Sequence, residues 1–303
     1  MAESKVWTIV KILDWTTNFF TEKGLESPRL DAEFLLCEVL NCERITLYVH
    51  FDQPLEEAEL TTYKKYIVRR ANNEPLAYII GYKDFLNYKF KVNECTLVPR
   101  PETELLVENL NQVLKTRTEP LKLLDIGTGS GAIICSLLDL LPNAEGVGVD
   151  ISEGALKVAT TNALDLGVNE RFTAVISDLF TNLEIIKNDS LFDLIVSNPP
   201  YIPKKVLKTL AKDVQKEPQG ALDGGEDGLD FYKKITKEAK RYLKPSGILA
   251  FEIGFDQGSA VKELCEKAGF EVVVIAKDYS KLDRMVFATM KGSIYEDKIM
   301  EIR

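Results

Sequence analysis

The stretch LKLLDIGTGSGAI (residues 121–133) sets an apolar run against three glycines two residues apart, then turns apolar again. The run predicts a buried strand. The glycines predict a tight strand-to-helix turn of the kind that lets backbone approach a nucleotide-like ligand, with simple close packing of the turn as the bland alternative. Working outward, further apolar runs alternate with helical segments: EGVGVDIS, FTAVISD, FDLIVSNPPYI, GILAFEIG, FEVVVIA and RMVFATM. Such alternation predicts an α/β fold with a doubly wound, mostly parallel sheet covered on both faces. Sheets of this class bind ligands beyond the carboxyl ends of their strands.

The acidic residues around the glycines narrow the ligand. Asp150 ends the next strand, 19 residues after Gly131 (150 − 131), where a carboxylate accepts ribose hydroxyls. Asp178 ends the third strand, where it could accept from an adenine amino group. Asp125 stands just before the glycines, so it repels a pyrophosphate and attracts an ammonium. No Lys-Ser or Lys-Thr follows the loop, which excludes a P-loop. S-adenosylmethionine, with ribose, adenine, an ammonium and no phosphate, fits these carboxylates better than NAD. The expected cofactor residues are Asp125, Gly127, Thr128, Gly129, Ser130, Gly131, Asp150, Ile151, Asp178, Leu179 and Asn198.

A second motif, VSNPPYIP (residues 196–203), closes the run FDLIV. Two consecutive prolines supply no backbone N–H and hold the residues before them extended. The chain there is stiff and its carbonyls lack local partners, which suits a fixed acceptor site; a rigid loop that merely packs is the alternative reading. Nearby, PRPETE and ALDGGEDGL each admit two readings. In the first, Arg100 or Glu102 either buttresses the pocket or forms a surface ion pair; the glycines of the second either cover a substrate or make a plain turn.

Upstream, VWTIVKILDWTTNFFTEKG, SPRLDAEFLLCEVL and PLEEAELTTYKKYIVRRANN predict three helices, with Gly24 ending the first and Ser27-Pro28 starting the second. LAYIIGYKDFLNYKFKVN predicts a β-hairpin. The expected domains are a helical bundle over 1–74, a hairpin linker over 75–98 and an α/β domain over 99–303. KKYIVRR (residues 64–70) reads as a solvated helix face or as a functional basic patch, and no role emerges for the tail KGSIYEDKIMEIR.

Composition excludes several classes. A net charge of −9 disfavours nonspecific nucleic-acid binding. No apolar run approaches the roughly 18 residues of a membrane span, and no signal peptide is evident, so a cytoplasmic protein is expected. Five cysteines without a C-x-x-C pair point to free thiols, and the single histidine, His50, argues against a Ser-His-Asp triad or a histidine metal centre; no metal is expected.

With these motifs assembled, the chain strongly resembles the HemK/PrmC protein-(glutamine N5) methyltransferases. The resemblance rests on RRANNEPLAYIIG, LVPRPETELLV, LLDIGTGSGAI, VDIS, SNPPYIP, EPQGALDGGEDGL and DRMVFA, and runs over nearly the whole chain. NPPY alone is shared with adenine amino methyltransferases; PRPETE joined to ALDGGEDGL is more particular. Leu179 departs from the pattern, which often has an aromatic there, and the tail extends past the usual end. The resemblance implies a Rossmann-like, S-adenosylmethionine-dependent domain that methylates the glutamine of the Gly-Gly-Gln motif in peptide chain release factors, with the bundle recognising the partner. It implies that Asn198 and Pro199 accept the two amide hydrogens and that Tyr201 lies flat on the amide, with Pro200 lining the same substrate site. A monomer with no direct nucleic-acid or membrane partner is expected. The rivals are a ribosomal-protein glutamine methyltransferase and a nucleic-acid adenine-N6 methyltransferase.

Overall fold

A computed structural model describes residues 6–183 and 191–302, in two compact units. The first unit is Met1–Gly81 with Ala211–Lys216; the second is Tyr82–Leu210 with Glu217–Arg303.

The first unit is helical: α1 (Ile9–Glu22), α2 (Pro28–Leu40), α3 (Arg44–Val49), α4 (Glu57–Ala71) and α5 (Leu76–Ile80). Gly24, at φ +74°, terminates α1 as its sequence position predicts, and a reciprocal capping box between Glu56 and Glu59 starts α4. Phe20, Leu35, Leu36 and Tyr63 fill the core, with the Tyr63 hydroxyl donating to the carbonyl of Ala32. α5 corrects the hairpin expected from residue 75 onward. Tyr78 and Ile79 favour strands locally, yet packing of Leu76, Ile79 and Ile80 against the bundle, and Gly81 at φ +90°, make this stretch one helical turn. The basic stretch 64–70 also divides. Lys64 and Lys65 are exposed, whereas Arg70 is buried and bonds Asp31 at 2.7 Å and Asp213 at 3.1 Å. Its charge is spent inside the unit, on α2 and on the short segment 211–216.

The second unit opens with the hairpin β1 (Tyr82–Phe85) and β2 (Tyr88–Lys91), then α6 (Pro101–Leu114). A seven-stranded sheet follows: β3 (Leu121–Ile126), β4 (Ala144–Asp150), β5 (Phe172–Ile176), β6 (Phe192–Ser197), β7 (Leu243–Glu252), β8 (Val272–Lys277) and β9 (Asp283–Thr289), in the order β5-β4-β3-β6-β7-β9-β8. All pairs are parallel except those of β9. β8 returns to β9 through a few residues with no helix between them, too short for a parallel crossover.

Alternation along the strands feeds two cores. Leu123, Leu194, Val196, Ile248 and Phe287 face α6 and α7 (Ala132–Leu140); Leu124, Ile195, Leu249, Phe251 and Val286 face α9 (Asp230–Ala239) and α10 (Gly258–Lys267). α8 (Glu153–Asp165) follows β4, capped by the Ser152 side chain. The tail has a structural use: Tyr295 and Ile299, the latter in α11 (Glu296–Glu301), complete the first of these cores. Strand order reverses between β3 and β6, and the glycine loop and the NPPY segment leave these two neighbouring strands at the same end.

Candidate active site

The glycines adopt the conformations the sequence requires. Gly127, Gly129 and Gly131 have φ of +72°, +55° and +79°. At Gly131 a Cβ would also press on Ala159 Cβ and Cys135 Sγ, each 3.1 Å away, so this glycine serves helix packing as well as the turn. Asn162 of α8, buried and unforeseen, fixes the loop from below: its Nδ2 donates to the carbonyls of Ser130 and Lys91, and its Oδ1 accepts the Lys91 N–H. A polar residue amid an apolar helix face was the only sequence signal for it.

Asp150 is half-buried at the end of β4, and each carboxylate oxygen already takes one backbone N–H, from Gly129 and from Ser152, both at 2.9 Å. It therefore holds the glycine loop to β4 and has lone pairs left for a ligand hydroxyl. Beside it, Ile151 is 72% exposed, an apolar side chain standing free at a strand end. Asp178 is exposed, and Leu179 holds φ +51°, a left-handed strain on an ordinary residue. Ser177 steadies it by donating its hydroxyl to the Leu179 carbonyl.

Asp125 lies buried beneath the loop. Its Oδ2 accepts from the Thr128 hydroxyl at 2.7 Å, and its Oδ1 is buried with no hydrogen-bond partner. Burial pushes this carboxyl up to about 7; the Thr128 bond and the nearby Ile134 backbone N–H offset part of the rise, and the Asp150 charge adds to it. An orphaned buried acceptor is the feature an ammonium-bearing ligand would complete. The residue types fit S-adenosylmethionine: an acceptor for the ammonium, carboxylates for hydroxyls and an amino group, and an exposed aliphatic for a flat base.

Past β6, Asn198 is half-buried and donates through Nδ2 to the Thr103 hydroxyl at 3.3 Å, leaving Oδ1 as an acceptor. Thr103, in PRPETE, donates in turn to Glu252 Oε2 at 2.5 Å. The prolines do not stiffen the segment alone. Gln257 clamps it, its Nε2 donating to the carbonyls of Tyr201 and Gly228 and its Oε1 accepting from Gly254 N–H. Residues 222–225 pair alongside, with Ile202 N–H to Leu222 O, Gly224 N–H to Ile202 O and Lys204 N–H to Gly225 O. At Gly224 a Cβ would come within 2.8 Å of the Pro200 carbonyl. ALDGGEDGL thus braces the NPPY backbone. Burial raises the Tyr201 phenol to about 12, so its ring is neutral at working pH.

Of the PRPETE carboxylates and cations, Arg100 pairs with buried Glu217 at 2.5 Å, and Glu217 also accepts the Val98 N–H at 2.9 Å. Arg100 therefore makes an ion pair with a buried partner, Glu217 in EPQG; Glu102 makes no such bond among the described residues. The sequence pattern gave no warning of Thr103, Glu217, Glu252 or Gln257. Among the described residues no cluster of three or more His, Cys, Asp or Glu could hold a metal ion, and all five cysteines are free.

Comparison with known proteins adds two family matches: the PrmC N-terminal domain over residues 11–81 and a methyltransferase domain over residues 117–299. A release factor glutamine methyltransferase of Geobacter sulfurreducens is 43% identical over 283 residues, covering 93% of this chain and 96% of its own. Another from Rhodopirellula baltica is 39% identical, covering 92% and 95%. The solved structure of the hMettl16 catalytic domain superposes with a TM-score of 0.53 at 13% identity over 78% of this chain and 84% of that one, a likeness of fold alone.

Proposed function

The chain belongs to the release factor glutamine methyltransferases, and on that premise we propose how its residues act on the substrate. The reaction transfers a methyl group from S-adenosylmethionine to the side-chain amide nitrogen of a release factor glutamine, the one in the Gly-Gly-Gln motif. Bound in the site, S-adenosylmethionine supplies an electrophilic methyl on a sulfonium. Asp125, Asp150 and Asp178, with the glycine loop and Ile151, would hold it.

A carboxamide nitrogen is a weak nucleophile because its lone pair is delocalised into the carbonyl. Asn198 Oδ1 accepts one amide N–H and the Pro199 carbonyl the other, which drives electron density onto the nitrogen and fixes its direction. Tyr201 lies against the amide plane and keeps water out. Holding nucleophile and electrophile in line lowers the barrier by several kcal/mol, about 7 in well-oriented cases. The N–C bond forms as the methyl–sulfur bond breaks, its electron pair going to sulfur to leave a neutral thioether; the nitrogen becomes acidic, and its proton leaves to the acceptor oxygens or to water. The observation that carries this reading is the Asn198 amide, which spends its N–H on Thr103 and keeps its oxygen.

The helical unit reads the release factor. Its match to the PrmC N-terminal domain supports this, as do Ile45, Val49 and Phe51, which expose 64, 63 and 55% of their surface in and just after α3. With a translation factor as substrate, the enzyme works in the cytoplasm.

Asn198→Ala is expected to lower methyl transfer at least about 100-fold and S-adenosylmethionine affinity far less. Equal loss of both would mean the segment serves structure only. Incubating the enzyme with labelled cofactor, release factors and duplex DNA, and locating label by mass spectrometry, tests the substrate: label on DNA and none on glutamine would establish the adenine alternative.

A further inference from the structure

Glu252 has no part in the reaction as derived, yet it is a carboxyl only 1% exposed at the end of β7, the strand beside the one that leads into Asn198. The residues before it in the strand, Ile248, Leu249, Ala250 and Phe251, are all buried and apolar. A carboxyl in such surroundings is costly unless it is partnered. Its partner is Thr103 at 2.5 Å, and Thr103 in turn receives Asn198 Nδ2 at 3.3 Å. Asn198 also faces Glu252 itself.

These bonds have a direction. An ionised carboxylate only accepts, so the single hydroxyl hydrogen of Thr103 must point at Glu252. What Thr103 then offers Asn198 is lone pairs, and only the NH2 side of the amide can use them. The oxygen is left on the other side. An asparagine amide is nearly symmetric in shape, and without this constraint its two ends exchange at little cost. The wrong end would set NH2 against the NH2 of a substrate amide, donor against donor.

We propose that Thr103 and Glu252 are positioning residues that orient the Asn198 side-chain amide, holding its oxygen toward the substrate glutamine. The inference rests on the methyl-transfer reading of the same site and gives PRPETE and the end of GILAFEIG a shared purpose. Glu252 is surrounded by Thr103 and Glu102 of α6, Arg284 of β9, Tyr201 after β6, and Tyr232 of α9, whose hydroxyl donates to the Glu252 backbone carbonyl. Burial prevails over Thr103 and Arg284 and raises the carboxyl to about 7. Protonated, it can donate to Thr103, and the hydroxyl is then free to donate to Asn198 Oδ1 instead. The orienting effect is complete above pH about 7 and lost below it.

The full-length enzyme with S-adenosylmethionine and a purified release factor provides the test. Thr103→Val, close in volume but without the hydroxyl, is expected to lower kcat about 10- to 100-fold. KM for the release factor, cofactor affinity and Tm stay near wild type, and Thr103→Ser restores kcat. Glu252→Gln removes the rise of kcat between pH 6 and 8. In 15N NMR of the protein without substrate, the Asn198 side-chain amide signal, assigned by its loss in Asn198→Ala, shifts with a midpoint near pH 7 and ceases to do so in Thr103→Val and in Glu252→Gln. Wild-type kcat in Thr103→Val, or an Asn198 signal indifferent to both substitutions, overturns the proposal. The NMR arm needs no substrate, so wild-type enzyme that left the release factor unmethylated would refute the substrate reading while this inference was still decided.

Discussion

Asp125 combines two properties at one residue: it is buried with an unmatched oxygen, and burial holds its carboxyl up to about 7. Above the ordinary carboxylate range the unfolded chain has released this proton while the folded protein keeps it. Its contribution to stability is therefore full below pH about 4 and is lost as pH rises through about 7. A cationic ligand favours the opposite state, the carboxylate. S-adenosylmethionine affinity is accordingly expected to strengthen as pH rises through 7, with a proton released from the protein on binding. Calorimetry at pH 7 in two buffers of different ionisation enthalpy measures that proton. In Asp125→Asn this proton release should vanish and affinity fall about 10- to 100-fold, the value of one charge-assisted hydrogen bond. The carboxylate was legible from position alone, just ahead of the glycines. Thr128 as its hydroxyl partner was legible only as a loop residue, because the contact depends on how the turn folds back.

At the scale of elements, rigidity at the NPPY segment comes from neighbours as much as from its prolines. Proline fixes φ but leaves ψ and the direction of the carbonyls open, and here the 222–225 ladder and Gln257 set them. Gly228 is the tightest point against another segment's backbone: it holds φ +75°, a Cβ there would collide with the Tyr201 carbonyl, and it would lie 2.6 Å from Gln257 Nε2. Gly228→Ala should destabilise the protein by about 1–3 kcal/mol and displace the Gln257 clamp, lowering kcat along with Tm. Gly220→Ala, in the same region but with open space around it, should leave both unchanged. Thermal melts and steady-state kinetics on the pair check this. ALDGGEDGL was legible as glycine-rich; that its glycines make room for another segment's backbone was not, since close approach is a property of two segments.

At the scale of the whole molecule, chain order and spatial grouping part company at one place. The chain leaves the second unit after Leu210, contributes Ala211–Lys216 to the helical unit, where Asp213 meets buried Arg70, and returns at Glu217, the partner of Arg100. The helical unit also presents Phe51, Val49 and Ile45 to solvent. If this surface reads the folded substrate, Phe51→Asp should raise KM for an intact release factor about 10-fold and leave kcat and KM for a short Gly-Gly-Gln peptide unchanged. Comparing the two substrates makes the measurement, and an equal effect on both would remove recognition from this surface.

The sequence by itself determined the strand-helix alternation, the glycine turn with its carboxylates at strand ends, and the proline-stiffened segment after FDLIV, because each is written in local periodicity or in residues a few positions apart. Only the tertiary structure decided the order of the strands, the helical turn at Leu76–Ile80, and the chain of bonds from Asn198 through Thr103 to Glu252. Those depend on burial and on partners 95 and 149 residues apart. A threonine in a helix and a glutamate at a strand end carry no mark of their meeting until packing excludes water and sets the hydroxyl against the carboxyl.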